Sequence, residues 1–340
     1  MPPNVAAVAS PYAHSMTSLP PLTLGRFVGD WRFDSWATAV LALLTVGYVA
    51  AVAVICRRGE RWPGYRTAGF VAVGIVPAVI ATMSSISVYA RVLLWPAALQ
   101  VTVLLTIVPV GLGLGDPLAL VDRLLSPGGA RRWRMGLHSW PVRVLTFPAV
   151  APLLAVATQF GVFFSGYLGA AQRHPAVLHL LELQLVVTGC LFALPLLGVE
   201  VLPAWCTQPL RMTFAAIDGL LDAVPGIAVM TSSGLVAAGY YGTVSRGWGP
   251  SRSWDQTIAG GLMLTVAEVV AVPFVAIVFR AWIREDAAVA GDLDRRLDEA
   301  DARSALLTHD EPVANRPWWE TDPGPLADRA ERYGWTDRPS

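Results

Sequence analysis

The chain has 340 residues, 54% of them hydrophobic and 15% charged, and its formal net charge is zero. Soluble domains carry about 25% charge, and the apolar runs here reach the ~20 residues that cross ~30 Å of hydrocarbon. This balance excludes a soluble single-core domain and offers no basic surface to a nucleic-acid partner.

In chain order, unbroken apolarity predicts seven transmembrane helices near residues 36–56, 67–89, 91–114, 143–166, 176–199, 223–241 and 257–280. The expected fold is therefore an all-α, polytopic seven-helix bundle, because backbone groups in lipid must be satisfied within the segment. Residues 1–35 form an outer N-terminal segment, 36–284 the membrane domain, and 285–340 a cytoplasmic region. The first 25 residues lack the basic n-region of a signal peptide. Pro77, Pro96, Pro109, Pro152, Pro195 and Pro273 fall inside the spans, where each is expected to kink its helix and free a carbonyl.

Arginine placement sets the expected direction. Arg57, Arg58, Arg61 and Arg66 follow the first span; Arg123, Arg131, Arg132, Arg134 and Arg143 follow the third; Arg280 and Arg284 follow the seventh. The opposite loops hold only Arg91, Arg173, Arg246 and Arg252. By the positive-inside rule the N-terminus lies outside and the C-terminus in the cytoplasm. The segment after Glu285 is charged, with apolar residues at loose helical spacing, and reads as a surface helix. From His309 the chain is rich in Pro, Asp and Trp without a period and reads as disordered. Trp318, Trp319 and Trp335 there are candidates for a docking element or a membrane-surface contact.

All 25 basic residues are Arg, as in GC-rich genomes. With no Lys, Schiff-base chemistry is excluded. Cys56, Cys190 and Cys206 match no CxxC or zinc spacing, and Cys190 reads as a packing residue. No GxSxG, HExxH or Walker element stands in a fitting context, so an enzyme is not expected. The phosphate-loop look of "GLGLGDP" at 111–117 fails because no strand precedes it.

Polar residues inside the spans carry the functional signal, because ionisable groups there are costly. Glu268 lies near the middle of the seventh span. His179 and Glu182, three apart and on one face of the fifth span, make a two-ligand fragment for a metal. Copper(I) prefers thiolate, thioether or imidazole, so the carboxylate is a weak member. Met83, Met263, His14 and Met16 are further soft donors of lower standing. Arg91 is a partner for these carboxylates or for Asp255. Asp255 and Gln256, in "DQTIAGGLML", stand at the outer mouth of the seventh span. There an Asp can cap orphan amides, and Gly260 and Gly261 permit close helix contact. Asp34, Arg91, His179 and Asp255 are expected around one outer vestibule.

The spaced pieces "WRFDSW" (31–36), Tyr48, "WPGYRTAGFVAVG" (62–74), "YARVL" (89–93), "PVGLGLGDPLAL" (109–120), "GCLFALPLLGVE" (189–200) and "DQTIAGGLML" agree in order over residues 30–290. In these the chain resembles the CtaG-type integral-membrane cytochrome c oxidase assembly factors. The resemblance implies a bacterial plasma-membrane protein, surrounded by lipid, that helps mature a haem–copper oxidase through contact with an oxidase subunit, with copper as the metal concerned. The family's helix-three histidines fall on Ala97 and Val101 here, leaving Gln100. Gln184 stands where the family has another His, and Leu264 where it often has Trp. Ala and Val coordinate nothing, so either the family's histidines are dispensable or the chain is a diverged member without its own metal chemistry. The alternative from the residues alone is a small copper or proton transporter using the intramembrane carboxylates.

Overall fold

The computed structural model describes residues 19–145, 147, 150–197 and 208–307. His14, Met16, Cys206, Trp318, Trp319 and Trp335 lie outside the described residues. All regular structure among the described residues is helical. The principal helices are α1 (Ser35–Arg57), α2 (Gly64–Tyr89), α3 (Leu94–Leu114), α4 (Val150–Phe164), α5 (Pro175–Leu197), α6 (Gln208–Thr231) and α7 (Arg252–Leu307). Six of them are long and apolar enough to cross a membrane. A seventh span arises if α4 and the helix Tyr167–Arg173, bent by 66° from it, count as one. The chain divides after Phe279 into two compact units. In the second, the exposed helical stretch carries the pairs Arg296–Asp292 at 2.8 Å and Arg303–Glu299 at 3.8 Å.

Local chemistry explains the ends of α1. Asp34 Oδ1 accepts from the Trp36 and Ala37 amides, both at 3.0 Å, and so caps the start. At the other end Gly59 takes φ +84°, a left-handed position that favours glycine. The Glu60 amide then reaches back to the Ile55 carbonyl and that of Gly59 to Cys56, satisfying the last orphan acceptors.

The prolines of α2 and α3 act differently from a simple kink. Each helix contains one wide π-type turn, Phe70–Ile75 in α2 and Val103–Ile107 in α3. Pro77 and Pro109 follow these turns by two residues. A proline ring clashes with the carbonyl four residues back, and a widened turn gives it room. The wide turn also lets backbones meet. A Cβ on Gly111 would overlap the Gly74 backbone, and one on Gly189 of α5 would overlap the Leu105 carbonyl.

At the arginine-rich end, Arg66, Phe70 and Gly74 recur every four residues along α2, and Trp62 precedes its first turn. Phe70 stacks on Tyr48 of α1 at 3.9 Å between ring centroids and 7° between planes. The Tyr48 hydroxyl donates to the Gly115 carbonyl at 2.8 Å and accepts from the Trp62 indole N–H at 3.3 Å. Arg66 and Arg123 lie over the Trp62 ring at 5.0 and 5.4 Å. Arg66 also pairs with Asp116 at 3.0 Å, and Asp116 holds a left-handed φ of 46° while capping the Ala119 amide. Arg66→Gln should lower stability in detergent by about 1–2 kcal/mol, through the lost ion pair and ring contact. A thermal melt against wild type checks this. Nearby, two bonds from Arg134 hold the Asp122 carboxyl below the usual carboxylate range. That contribution is present above the unfolded value of about 3.9 and is lost as pH falls through the folded one.

Two of the predicted boundaries are corrected. The sixth long helix is Gln208–Thr231, with Met212–Thr231 its membrane-length part, not 223–241; after it the chain turns at Ser232–Gly234, and the short helix Ala238–Tyr241 follows. Asp218 and Asp222 had broken the apolar run on the N-terminal side. On the other side Ala237 takes φ 50°, which a helix cannot continue. In the fourth span, a separate helix Trp140–Leu145 precedes α4. Arg91 lies in the turn that joins α2 to α3 and not within α3.

Candidate functional site

The sequence-predicted polar residues fall into two nests with separate partners, not one vestibule. The first joins the start of α1 to α3 and α5. Asp34 uses its second oxygen, Oδ2, on His179 Nε2 at 3.2 Å. Both side chains are under one-fifth exposed, at 17% and 18%. The Trp36 ring tilts over the imidazole at 6.1 Å. One turn further along α5, Glu182 Oε1 accepts from Gln100 Nε2 of α3 at 2.9 Å. His179 and Glu182 therefore share a face, as their spacing requires. Beneath them lies a cavity of about 110 Å³ lined by Trp36, Ala78, Leu104, Glu182 and Val186 among others. Met83, whose sulfur accepts from Thr38 Oγ1 at 3.8 Å, sits beside the start of α1.

The second nest accounts for the Asp-Gln pair. Asp255 is 3% exposed. Its oxygens accept from the backbone amides of Leu94 and Trp95, each at 3.0 Å. These are orphan donors at the start of α3, whose own N-cap residue, Leu93, supplies no side-chain acceptor. Asp255 thus caps a helix, but across the bundle and not its own. Its cationic partner is Arg246, at 3.1 Å, and not Arg91. Gln256 closes the turn after α6. Its Oε1 accepts from the Val236 amide at 2.8 Å, and its Nε2 donates to the Ser232 and Gly234 carbonyls at 3.2 Å each. Gly260 lies against Gly226 and Met230 with no space for a side chain, while Gly261 faces open space.

Arg91 contributes through its backbone. Its carbonyl accepts from the Tyr240 hydroxyl at 3.0 Å, and the Ala90 carbonyl from Tyr241 at 2.6 Å. The N-terminal segment fastens to the same end. The Trp248 indole donates to the Leu19 carbonyl at 2.8 Å, and the Tyr89 hydroxyl reaches the Pro20 carbonyl and Asp30. Glu268 stands apart from both nests, exposed on α7. Sequence reading missed Arg246 as the partner of Asp255, though only nine positions separate them. It also missed Asp222, which lines an internal cavity with Thr106 and Gly189. The signal for Asp222 was a carboxylate inside a helix of membrane-spanning length, hidden by the misplaced sixth span.

The donors of the first nest are partly committed to one another. His179 Nε2 is committed to Asp34, which leaves at most one imidazole lone pair, at Nδ1. Glu182 Oε1 is committed to Gln100. Met263 is 1% exposed in the core. Among the described residues no three of His, Cys, Asp or Glu converge to hold a metal. Copper(I) prefers thioether, thiolate or imidazole donors, of which this nest offers the single imidazole nitrogen Nδ1 of His179.

The model of the cytochrome c oxidase caa3 assembly factor (Caa3_CtaG) family matches residues 46–285. The chain belongs to this family. Its match takes in both faces of the Trp62–Arg66–Phe70 knot and the whole Asp255–Gln256 nest. Similar proteins include Mb0105 of Mycobacterium bovis and MT0111 of Mycobacterium tuberculosis, both described as uncharacterized. Each is 30% identical over 306 residues, covering 84% of this chain and 45% of its own length. An uncharacterized protein of Mycobacterium leprae is 28% identical over 299 residues, covering 84% of this chain and 44% of its own. The chain therefore spans less than half the length of these relatives. No solved structure matches. In this CtaG-family chain, then, the most specific sequence motif is a structural tie. Asp255 joins α7 to α3 and Gln256 joins it to the turn after α6.

Proposed function

We propose that the protein is a non-enzymatic accessory factor for assembling a haem–copper cytochrome c oxidase. It acts at the outer face of a bacterial plasma membrane by binding an oxidase subunit, and it holds no metal of its own. Residues 1–35 lie outside, 36–284 span the membrane and 285–340 lie in the cytoplasm. Family membership supports the oxidase. The observation that carries the rest is the pairing of the polar groups at this end within the chain: His179 with Asp34, Glu182 with Gln100 and Asp255 with Arg246. An end whose polar groups pair with one another suits protein recognition better than ion capture. The cluster of Arg58, Arg66, Arg123 and Arg134 at the other end supports the stated direction.

Deleting the gene should lower oxidase haem in reduced-minus-oxidised spectra of native membranes. Unchanged spectra and oxygen uptake in every growth condition would overturn the proposal. His179→Ala and Glu182→Gln should restore oxidase content in the deletion strain close to the wild-type level. Loss of oxidase in both, with the variants folded, would instead point to a ligand at that nest. A tag on the C-terminus should be labelled only after the membrane is permeabilised.

A further inference from the structure

We propose that Glu268 is the docking point for a transmembrane helix of a partner protein that carries a basic residue at mid-membrane. Glu268 is exposed on α7 within the membrane-length span Arg252–Pro273. Its depth follows from the packing of α6 against α7. Gly226 lies against Gly260 and Leu264, and Gly219 against Ala271. The two helices run antiparallel, and Glu268, between Leu264 and Ala271, falls level with the middle of the span Met212–Thr231. A carboxyl group at that depth facing hydrocarbon is costly, and intramembrane charges face a partner or a watery cavity. Among the described residues no hydrogen bond or ion pair reaches it.

The surroundings form a surface for one helix. Val269 and Val272, 64% and 72% exposed, flank Glu268 on α7. On α6 the exposed Ile217, Leu220, Val224 and Ile227 recur at helical spacing beside it. The occupant is not a second copy of this chain. In a two-fold pair Glu268 would have to meet a basic residue from this chain's own spans at the same depth. None of the spans holds an Arg or Lys at mid-membrane; the basic residues cluster at the ends. Charge complementarity therefore calls for a different membrane protein, with Arg or Lys in a helix.

The identification of that protein as an oxidase subunit rests on the proposed assembly role; the docking point does not. The test places a photo-crosslinking residue at Val269 or Val272 of the full-length protein in native membranes. The adduct should map, by mass spectrometry, to a helix of an oxidase subunit that carries a basic residue. Glu268→Gln, nearly the same shape, should reduce the adduct about fivefold or more. Glu268→Arg should abolish it, and should regain it when the partner's basic residue is changed to Glu. Gel filtration and a thermal melt confirm that each variant is folded. Adducts only to lipid, only to a second copy, or unchanged in Glu268→Gln would overturn the proposal. An adduct to a different membrane protein, lost in Glu268→Gln, would support docking and reject the oxidase as partner.

Discussion

Asp255→Ala should destabilise the purified protein by about 3–5 kcal/mol, the range for breaking a buried ion pair from one side. The amides of Leu94 and Trp95 lose their acceptor, and the Arg246 guanidinium, whose side chain is only 9% exposed, loses its carboxylate and keeps the Trp248 carbonyl. Arg246→Ala should cost less, because Asp255 keeps its two amide donors. The double variant should fall well short of the sum, since both changes remove the same pair. Asp255→Asn retains one acceptor oxygen and should lie between wild type and Asp255→Ala. The check is thermal unfolding in one detergent for all four proteins. A loss for Asp255→Ala within about 0.5 kcal/mol, as for an ordinary surface change, would remove this carboxylate from the list of ties.

The second large effect concerns close backbone contacts. Gly189→Val should prevent α5 from seating on α3, because the new Cβ would meet the Leu105 carbonyl and the Pro109 ring. Gly111→Val should do the same between α3 and α2. Overpacked cores typically lose about 1–3 kcal/mol, occasionally more. Here the obstructing atoms are backbone and a proline ring, which do not swing aside, so losses at or above the top of that range are expected. Gly136→Ala, in the helix Pro127–Leu137 with open space where its Cβ would stand, is the contrasting case. It should stabilise by about 0.5–1 kcal/mol through helix propensity. Yield of monodisperse protein and melting temperature report all three.

The contrast between what was legible and what was not follows the physics. Spans with an uninterrupted apolar run, α1, α3 and α5, lay close to their predicted limits because lipid solvation acts residue by residue. The sixth did not. Two aspartates interrupted its run, and the apolar stretch after Thr231 is held as a turn by a side chain 20 or more residues away, Gln256. Tertiary hydrogen bonds of that reach leave no local trace. The same applies to the site. Helical spacing placed His179 and Glu182 on one face, and position placed Asp255 at a helix mouth. Neither could reveal that their partners would be Asp34, Gln100 and Arg246, supplied by other parts of the chain.

The paired wide turns in α2 and α3 carry a further consequence. Each holds one more residue than a regular helix of the same rise, and an α-helix rotates by about 100° per residue. Wound as a regular helix, the same residues would therefore turn Ala97, Gln100 and Val101 about a quarter-turn relative to Gly111. The wide turn thus works as a phase-setter. It decides which side chains of the distal half greet α5, independently of the contacts that anchor the proximal half.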